Sequence, residues 1–161
     1  MPATPGSPRA ARVGRVAVVV SRFNEAVTER LLRGAQQSLR ERQVPDRAVD
    51  VLWVPGAFEL PVVAEAAAAS GRYTAIIALG CVIRGETAHF EYVAGEAARG
   101  LGNVALAHRV AVGFGVLTTE TVEQAMARAG GEAGNKGYEA AEAALTTAAV
   151  LAQLTRAAPR D

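Results

Sequence analysis

The segment Gly85-Glu86-Thr87-Ala88-His89 combines a glycine with a carboxylate, a hydroxyl and an imidazole within five residues. The segment follows an apolar run at residues 74–79, which is typical of a strand buried on both faces. Apolar residues at helical spacing come next, so Gly85 to Thr87 are expected at a helix N-terminus, where unpaired N–H groups bind phosphate. His89 is expected in the first turn of that helix, and imidazole exchanges protons near neutral pH. The pattern predicts a phosphate-binding turn beside a proton-transfer residue.

The same residues also fit simpler explanations. Short glycine turns are common at helix starts, and His89 fits equally well as a surface or core-edge histidine. The turn lacks both the G-x-x-x-x-G-K-[ST] spacing and the G-x-G-x-x-G fingerprint, which disfavours a nucleoside triphosphate or a dinucleotide. Cys81, the only cysteine, lies close to His89 in sequence and raises the alternative of a thiol hydrolase. A nucleophile elbow needs small neighbours, whereas Val82 and Ile83 follow Cys81, so a small buried thiol is the preferred interpretation.

Two phenylalanines stand in turns beside polar residues rather than within apolar runs. Phe23 precedes Asn24 and Phe58 precedes Glu59, in a chain of which only 5% is aromatic. Phenylalanine usually belongs to the core, but a planar ligand stacked on both rings would explain why they occur in turns. Phe23 and Phe58 are therefore candidates for a ring-binding site.

Four apolar runs alternate with helical patterns along the chain. The predicted strands cover residues 15–20, 48–54, 74–79 and 110–117. Asn24 is expected to cap the first helix. Thr118 and Thr119 are expected to cap a later helix, which the glycines at 130–134 break. This alternation predicts an α/β fold, a three-layer αβα sandwich around a four-stranded parallel sheet in flavodoxin-like order.

Ligands bind beyond the carboxyl ends of the strands in such sheets. All the unusual turns follow predicted strands, at residues 23–24, 56–59, 84–87 and 118–119. Four independent turns at one edge of the sheet favour a ligand site there more strongly than any one of them does.

Composition narrows the classes of partner. Seventeen Lys and Arg against sixteen Asp and Glu leave a formal charge of +1, with no basic footprint for nucleic acid or an acidic membrane. No apolar run reaches the roughly 18 residues of a membrane span. A cytoplasmic protein without nucleic-acid or membrane partners is expected. Residues 1–13 are expected to form a flexible or partner-bound arm, 14–156 one α/β domain, and 157–161 a frayed tail.

Five segments, taken in their order along the chain, resemble the 6,7-dimethyl-8-ribityllumazine synthase family over about residues 14–155. They lie at residues 21–25, 54–61, 80–92 and 114–119, and at 128–130 together with 135–137. The resemblance implies condensation of 5-amino-6-(D-ribitylamino)uracil with 3,4-dihydroxy-2-butanone 4-phosphate to 6,7-dimethyl-8-ribityllumazine, with release of phosphate and water. This is the penultimate step of riboflavin biosynthesis, and the resemblance implies no cofactor and no metal.

The resemblance also implies roles for individual residues. His89 matches the proton-transfer residue of the family. The residues expected to bind ribitylaminouracil are Phe23, Ala57, Phe58, Glu59, Cys81, Val82, Ile83, Phe114 and Lys136. Those expected to bind the butanone phosphate are Gly85, Glu86, Thr87 and Arg128. In the family, the positions that match Phe114, Arg128 and Lys136 reach the site from a neighbouring subunit.

Assembly follows from the same resemblance. It implies a homo-pentamer, and the alanine-rich last helix, at about 136–155, offers small residues for packing between subunits. The short break at 130–134 resembles members whose pentamers form an icosahedral shell, with riboflavin synthase as a candidate partner. The arm at 1–13 is a candidate extra strand for a neighbour's sheet. Two alternatives stay open, a non-catalytic flavin or lumazine carrier of this fold and a thiol hydrolase that uses Cys81 and His89.

Overall fold

Four parallel strands form the central sheet of the computed structural model, which describes residues 14–156. They are β1 Arg15–Ser21, β2 Val49–Val54, β3 Tyr73–Ile83 and β4 Ala111–Thr119, in the spatial order β2-β1-β3-β4. The predicted α/β class, parallel sheet and flavodoxin-like order are confirmed. The predicted arm at 1–13 and tail at 157–161 lie outside the described residues.

Within residues 14–156, five α-helices pack around the sheet. They are α1 Glu25–Glu41, α2 Leu60–Ala69, α3 His89–His108, α4 Val122–Ala127 and α5 Lys136–Arg156. One core lies between the sheet and α1 with α5, and a second core lies between the opposite face and α2 with α3. Successive residues of β1 enter the two cores alternately, because side chains on a strand alternate between its faces. The three-layer sandwich is thereby confirmed, and it explains why the run Val16 to Val20 is continuously apolar. Among the helices of residues 14–156, none has both the length and the apolar character that a membrane span requires.

The third and fourth strands continue further than predicted. Gly80 to Ile83 pair with Val116 to Thr119, so both strands extend to the edge of the sheet. The expectation that Thr118 and Thr119 cap α4 is therefore wrong, since both residues belong to β4. Thr121 is the cap instead, and its hydroxyl accepts the backbone N–H of Gln124 at 3.1 Å, while the Gln124 side chain accepts from Thr121.

Asn24 stands at the N-cap of α1, but its side chain does not cap the helix as expected. Its backbone is left-handed, with φ of 61°, a conformation that asparagine tolerates better than most residues. The side-chain amide Nδ2 instead donates to the carbonyl oxygen of Cys81 at 2.9 Å. Asn24 thus joins the end of β1 to the end of β3.

A short hairpin replaces the expected glycine break after α4. The helix ends at Ala127, and β5 Ala129–Gly131 pairs antiparallel with β6 Gly134–Asn135. The hairpin packs on the middle of α1, where the side chain of Asn135 takes the space that a Cβ at Gly34 would need. The Nδ2 group of Asn135 also donates to the carbonyl of Arg30 at 3.0 Å.

Four alanines of α5 pack inside the chain. Ala140, Ala141, Ala144 and Ala148 are all buried in the core under α1 and the sheet. These four are not available for packing between subunits, whereas Ala143 of the same helix is exposed, so the expected role of the alanines in assembly stays a prediction. Gly113 and Gly115 of β4 allow this close approach, since a Cβ at either would lie within about 3.2 Å of Ala140.

Candidate active site

Backbone hydrogen bonds tie the turn after β1 to the turn after β2. The N–H of Arg22 donates to the carbonyl of Val54 at 2.8 Å, and the N–H of Phe23 donates to that of Pro55 at 3.0 Å. The side chain of Phe23 projects away from both cores and is 70% exposed. The position of this ring is therefore set by its backbone and not by packing around the ring.

The turn after β2 carries the second exposed ring. Ala57–Glu59 form one turn of 3-10 helix that leads directly into α2. Ala57 is buried against Gly80, where a Cβ would lie 3.5 Å from the Ala57 methyl group. Phe58 is 59% exposed, so two phenylalanine faces are available to a planar ligand at the carboxyl edge of the sheet.

The end of β3 contributes mainly backbone atoms to this edge. Cys81 and Ile83 point into the core beneath α1, and Val82 points into the core beneath α2 and α3. Burial raises the pKa of the Cys81 thiol to about 11. A thiol with such a pKa holds little thiolate at neutral pH, which argues against Cys81 as a nucleophile.

The predicted phosphate turn lies between β3 and α3, fully at the surface. Gly85, Glu86, Thr87 and Ala88 are all exposed, and His89 is the first residue of α3, as predicted. Ala88 occupies the N-cap and has no side-chain cap, and its carbonyl accepts the N–H of Glu91 at 3.0 Å. The positive end of the helix dipole favours an anion at this N-terminus. The one side-chain contact within the turn joins the His89 N–H to the Thr87 hydroxyl at 3.4 Å.

Phe114 does not lie at this edge. It pairs with Ala78 and precedes the end of β4 by five residues, which corresponds to about 16 Å along the strand. The ring is 39% exposed, on the face of β4 opposite the glycines that contact α5. Phe114 therefore points outward from the side of the sheet and not into the edge that holds Phe23 and Phe58.

Arg128 and Lys136 are likewise separate from the exposed phenylalanines. They flank the hairpin that packs on the middle of α1, and the N–H of Lys136 donates to the carbonyl of Arg128 at 2.8 Å. The Arg128 side chain is exposed, and its Nη1 donates to the carbonyl of Gln124 in the preceding helix α4, at 2.9 Å. One chain thus brings together the candidate residues from 23 to 89 but leaves Phe114, Arg128 and Lys136 outside that group.

Sequence reasoning missed Arg84. Its backbone N–H donates to the carbonyl of Thr119 at 2.8 Å, and its Nε lies 3.0 Å from a carboxylate oxygen of Glu120. The only local signal is a single cation between an apolar strand and a glycine turn. Its partner Glu120 is 36 residues away in sequence, so spacing could not reveal the contact.

Comparison with known proteins identifies relatives over almost the whole chain. Residues 14–152 match the sequence model of the family described as 6,7-dimethyl-8-ribityllumazine synthase. A curated relative from Edwardsiella ictaluri (strain 93-146), described as 6,7-dimethyl-8-ribityllumazine synthase, is 57% identical over 143 residues. That alignment covers 88% of this chain and 92% of the relative. The family match includes every candidate site residue, from Phe23 to Lys136.

Proposed function

The chain belongs to the 6,7-dimethyl-8-ribityllumazine synthase family, and we infer from this membership that it condenses 5-amino-6-(D-ribitylamino)uracil with 3,4-dihydroxy-2-butanone 4-phosphate. The product is 6,7-dimethyl-8-ribityllumazine, with release of phosphate and water, in the penultimate step of riboflavin biosynthesis. The protein is therefore a transferase. The observation that carries this conclusion is the 57% identity across 92% of a relative described as that enzyme.

The reaction requires little covalent chemistry from the protein itself. The amine of the uracil substrate is the nucleophile and the butanone supplies the carbonyl. The enzyme therefore has to align the two, hold the phosphate and move protons. A site without an activated protein nucleophile fits this requirement, and the buried thiol of Cys81 is consistent with it.

We propose that the uracil ring stacks at the carboxyl edge of the sheet. Phe23 and Phe58 present exposed faces there, and backbone groups of Ala57, Glu59 and residues 81–83 line the space between. Aromatic stacking fixes the plane of the ring, while backbone donors and acceptors fix its rotation within that plane. The ribityl chain extends along the same backbone groups.

The phosphate is assigned to the turn Gly85-Glu86-Thr87 at the start of α3. The exposed backbone of the turn and the positive end of the helix dipole both favour an anion there. His89 stands one turn or less from that anion, close enough to act as the proton-transfer group for a substrate held between the turn and the rings.

Phe114, Arg128 and Lys136 complete the site of a neighbouring subunit in this proposal. Phe114 lies away from the carboxyl edge of its own sheet, and Arg128 is exposed, so a second copy can receive Arg128. Arg128 is assigned to the phosphate and Lys136 to the ribityl side. A cation on the phosphate is worth more than a neutral donor because the hydrogen bond is charge-assisted.

A homo-pentamer supplies such neighbours. The outer face of α3 carries a stripe at helical spacing, opposite its buried residues, that comprises Tyr92, Gly95, Arg99, Gly102 and Leu106. Tyr92 is 72% exposed and Leu106 is 82% exposed. The stripe fits helix packing between copies of this chain.

Further assembly and location are also proposals. The hairpin at 129–135 is short, which favours pentamers that join into an icosahedral shell in the cytoplasm, with riboflavin synthase as a candidate partner. Residues 14–156 are assigned to the single α/β domain. Sedimentation of the purified protein distinguishes a shell from a free pentamer.

The direct test mixes purified protein with both substrates and follows the fluorescence of the lumazine product. Turnover that needs both substrates and releases phosphate is the expected result. A carrier of the same fold would bind flavin or lumazine tightly without turnover, and that outcome would overturn the enzymatic assignment. A hydrolase would act on small esters or amides and would lose that activity on thiol alkylation.

A further inference from the structure

Arg84 makes more contacts between elements than any residue of the turn it precedes. Its backbone joins β3 to the end of β4 through Thr119, as described above. Its Nε contacts both carboxylate oxygens of Glu120, at 3.0 and 3.1 Å, and its Nη2 lies 3.5 Å from the carboxylate of Glu91. One guanidinium therefore joins the loop after β4 to the first turn of α3.

The same guanidinium covers the residue next to His89. Its central carbon lies 4.9 Å from the centroid of the Phe90 ring, within the range of a cation–π contact. Phe90 is partly buried and packs against the core beneath α3. Arg84 thus holds Phe90 from outside while the core holds it from inside, which fixes the backbone on either side of His89.

The turn itself has little else to hold it. A Cβ at Gly85 would meet nothing within 4 Å, and residues 84–89 are all exposed. The contact between Thr87 and the His89 N–H is long, at 3.4 Å. The conformation of the turn therefore depends on its two ends, and Arg84 is the end that binds three neighbouring elements.

We propose that Arg84 is a positioning residue, which sets the phosphate turn and His89 through Glu120, Glu91 and Phe90 and does not itself bind the phosphate. The proposal rests on the function proposed above. Two carboxylates already face the guanidinium, so its charge is compensated before any substrate arrives. An arginine poised for phosphate would instead stand without carboxylate partners.

Kinetics of single and double variants separate positioning from direct binding. For Arg84→Gln we expect kcat to fall on the order of tenfold, with KM for each substrate changed by less than about threefold, because small misplacements reduce turnover strongly. Glu120→Gln is expected to lower kcat in the same direction. The double variant should be no slower than Arg84→Gln, since both changes break one contact. Arg84→Lys should recover only part of the rate, because an ammonium cannot reach both carboxylates and cover the ring together.

Direct binding of the phosphate by Arg84 predicts changes in KM for the butanone phosphate instead. If Arg84 held the phosphate, Glu120→Gln would free it and lower KM for the butanone phosphate, while Arg84→Gln would raise that KM alone. Either result would overturn the proposal. Arg40→Gln is the control, because Arg40 is likewise an exposed arginine in an ion pair, with Asp46, but lies on α1. Its kinetics should equal those of the unmodified protein.

Amide hydrogen exchange tests the proposal without any turnover. Arg84→Gln should speed exchange of the hydrogen-bonded backbone N–H groups in the first turns of α3, at residues 91–93, by at least about tenfold in the substrate-free protein, since local opening becomes easier. Exchange further along α3, and in the Arg40→Gln control, should stay unchanged. Unaltered exchange at 91–93 would contradict the positioning role. Absence of turnover in the unmodified protein would contradict the proposed function alone.

Discussion

The two ends of the sheet differ in which side chains are left available to a ligand. At the amino end, Asp50 accepts from Arg15 at 2.7 and 2.9 Å and from the hydroxyl of Tyr73 at 2.7 Å. At the carboxyl end, Phe23 and His89 are exposed. The three amino-end groups satisfy one another across three strands, whereas Phe23 and His89 are left available.

This difference separates stability from function in one sheet. All four strands are parallel, so every strand begins at the amino end and every strand-to-helix turn falls at the carboxyl end. Ion pairs at the amino end can therefore join strands without obstructing a ligand. We expect variants at the carboxyl end to change activity with little change in stability, and variants at the amino end to do the reverse.

The largest expected effect is that of His89→Ala at the carboxyl end. Loss of general acid–base catalysis should lower kcat by a factor on the order of 10², while binding and assembly stay intact. Steady-state kinetics at saturating substrates measure the effect, with the thermal midpoint as the stability readout. An unchanged kcat would remove His89 from the mechanism.

Thr87→Ala and Arg128→Ala should weaken binding of the phosphate substrate more than that of the uracil substrate. The loss of a hydrogen bond to a charged group costs about 1.5–3 kcal/mol, or roughly ten- to a hundredfold in affinity. Separate titrations of each variant with each substrate provide the measurement. Equal losses for the two substrates would contradict the assignment of these residues to the phosphate.

The amino end should respond to Asp50→Asn with a loss of about 1 kcal/mol in the free energy of unfolding, a discounted value because both partners are partly exposed. The bonds from Arg15 and Tyr73 lower the pKa of Asp50 from 3.8 to about 2. Its stabilisation is therefore complete above about pH 4 and disappears as the pH falls toward 2.

Urea unfolding of Asp50→Asn at several pH values and one protein concentration tests the direction of this pH dependence of stability. The difference from the unmodified protein should be constant near neutral pH and shrink below about pH 4. Asp46→Asn is the control, because its pair with Arg40 is exposed and should contribute less. A difference that grows toward acid pH would be inconsistent with the lowered pKa. Turnover of Asp50→Asn should match that of the unmodified protein.

The smallest effect on activity is expected at Cys81, which lies near the carboxyl edge but points into the core. Cys81→Ala should keep kcat within about twofold and lose on the order of 1 kcal/mol of stability through the lost sulfur contacts. An inactive but folded Cys81→Ala protein would restore the thiol-hydrolase alternative.

Local pattern predicted the strands, the order of elements and the position of His89 at the start of α3. It failed where a distant partner decides the outcome. The local sequence predicted Thr118 and Thr119 as helix caps, but pairing with residues 82–83 keeps them in β4. The local sequence predicted a side-chain helix cap at Asn24, but its amide donates to the carbonyl of Cys81, 57 residues away.

The residues of the candidate site also divide into those that local sequence predicts and those that depend on distant contacts. The edge turns and Phe23 were predictable because each follows an apolar strand, and the fold then brings them together. The outward direction of Phe114 and the contacts of Arg84 depend on strand register and on a long-range ion pair, which spacing does not encode. The roles of Phe114, Arg128 and Lys136 rest on resemblance and stay predictions.

Mixing two impaired variants, assayed at a limiting concentration of the butanone phosphate, tests the central claim, that each active site combines the carboxyl edge of one subunit with residues of its neighbour. His89→Ala and Arg128→Ala subunits are dissociated, mixed in equal amounts and reassembled. If the sites are shared, about one quarter of them should carry both native residues after random reassembly, and a corresponding part of the activity should return. Activity no higher than the average of the two separately reassembled variants would contradict the claim.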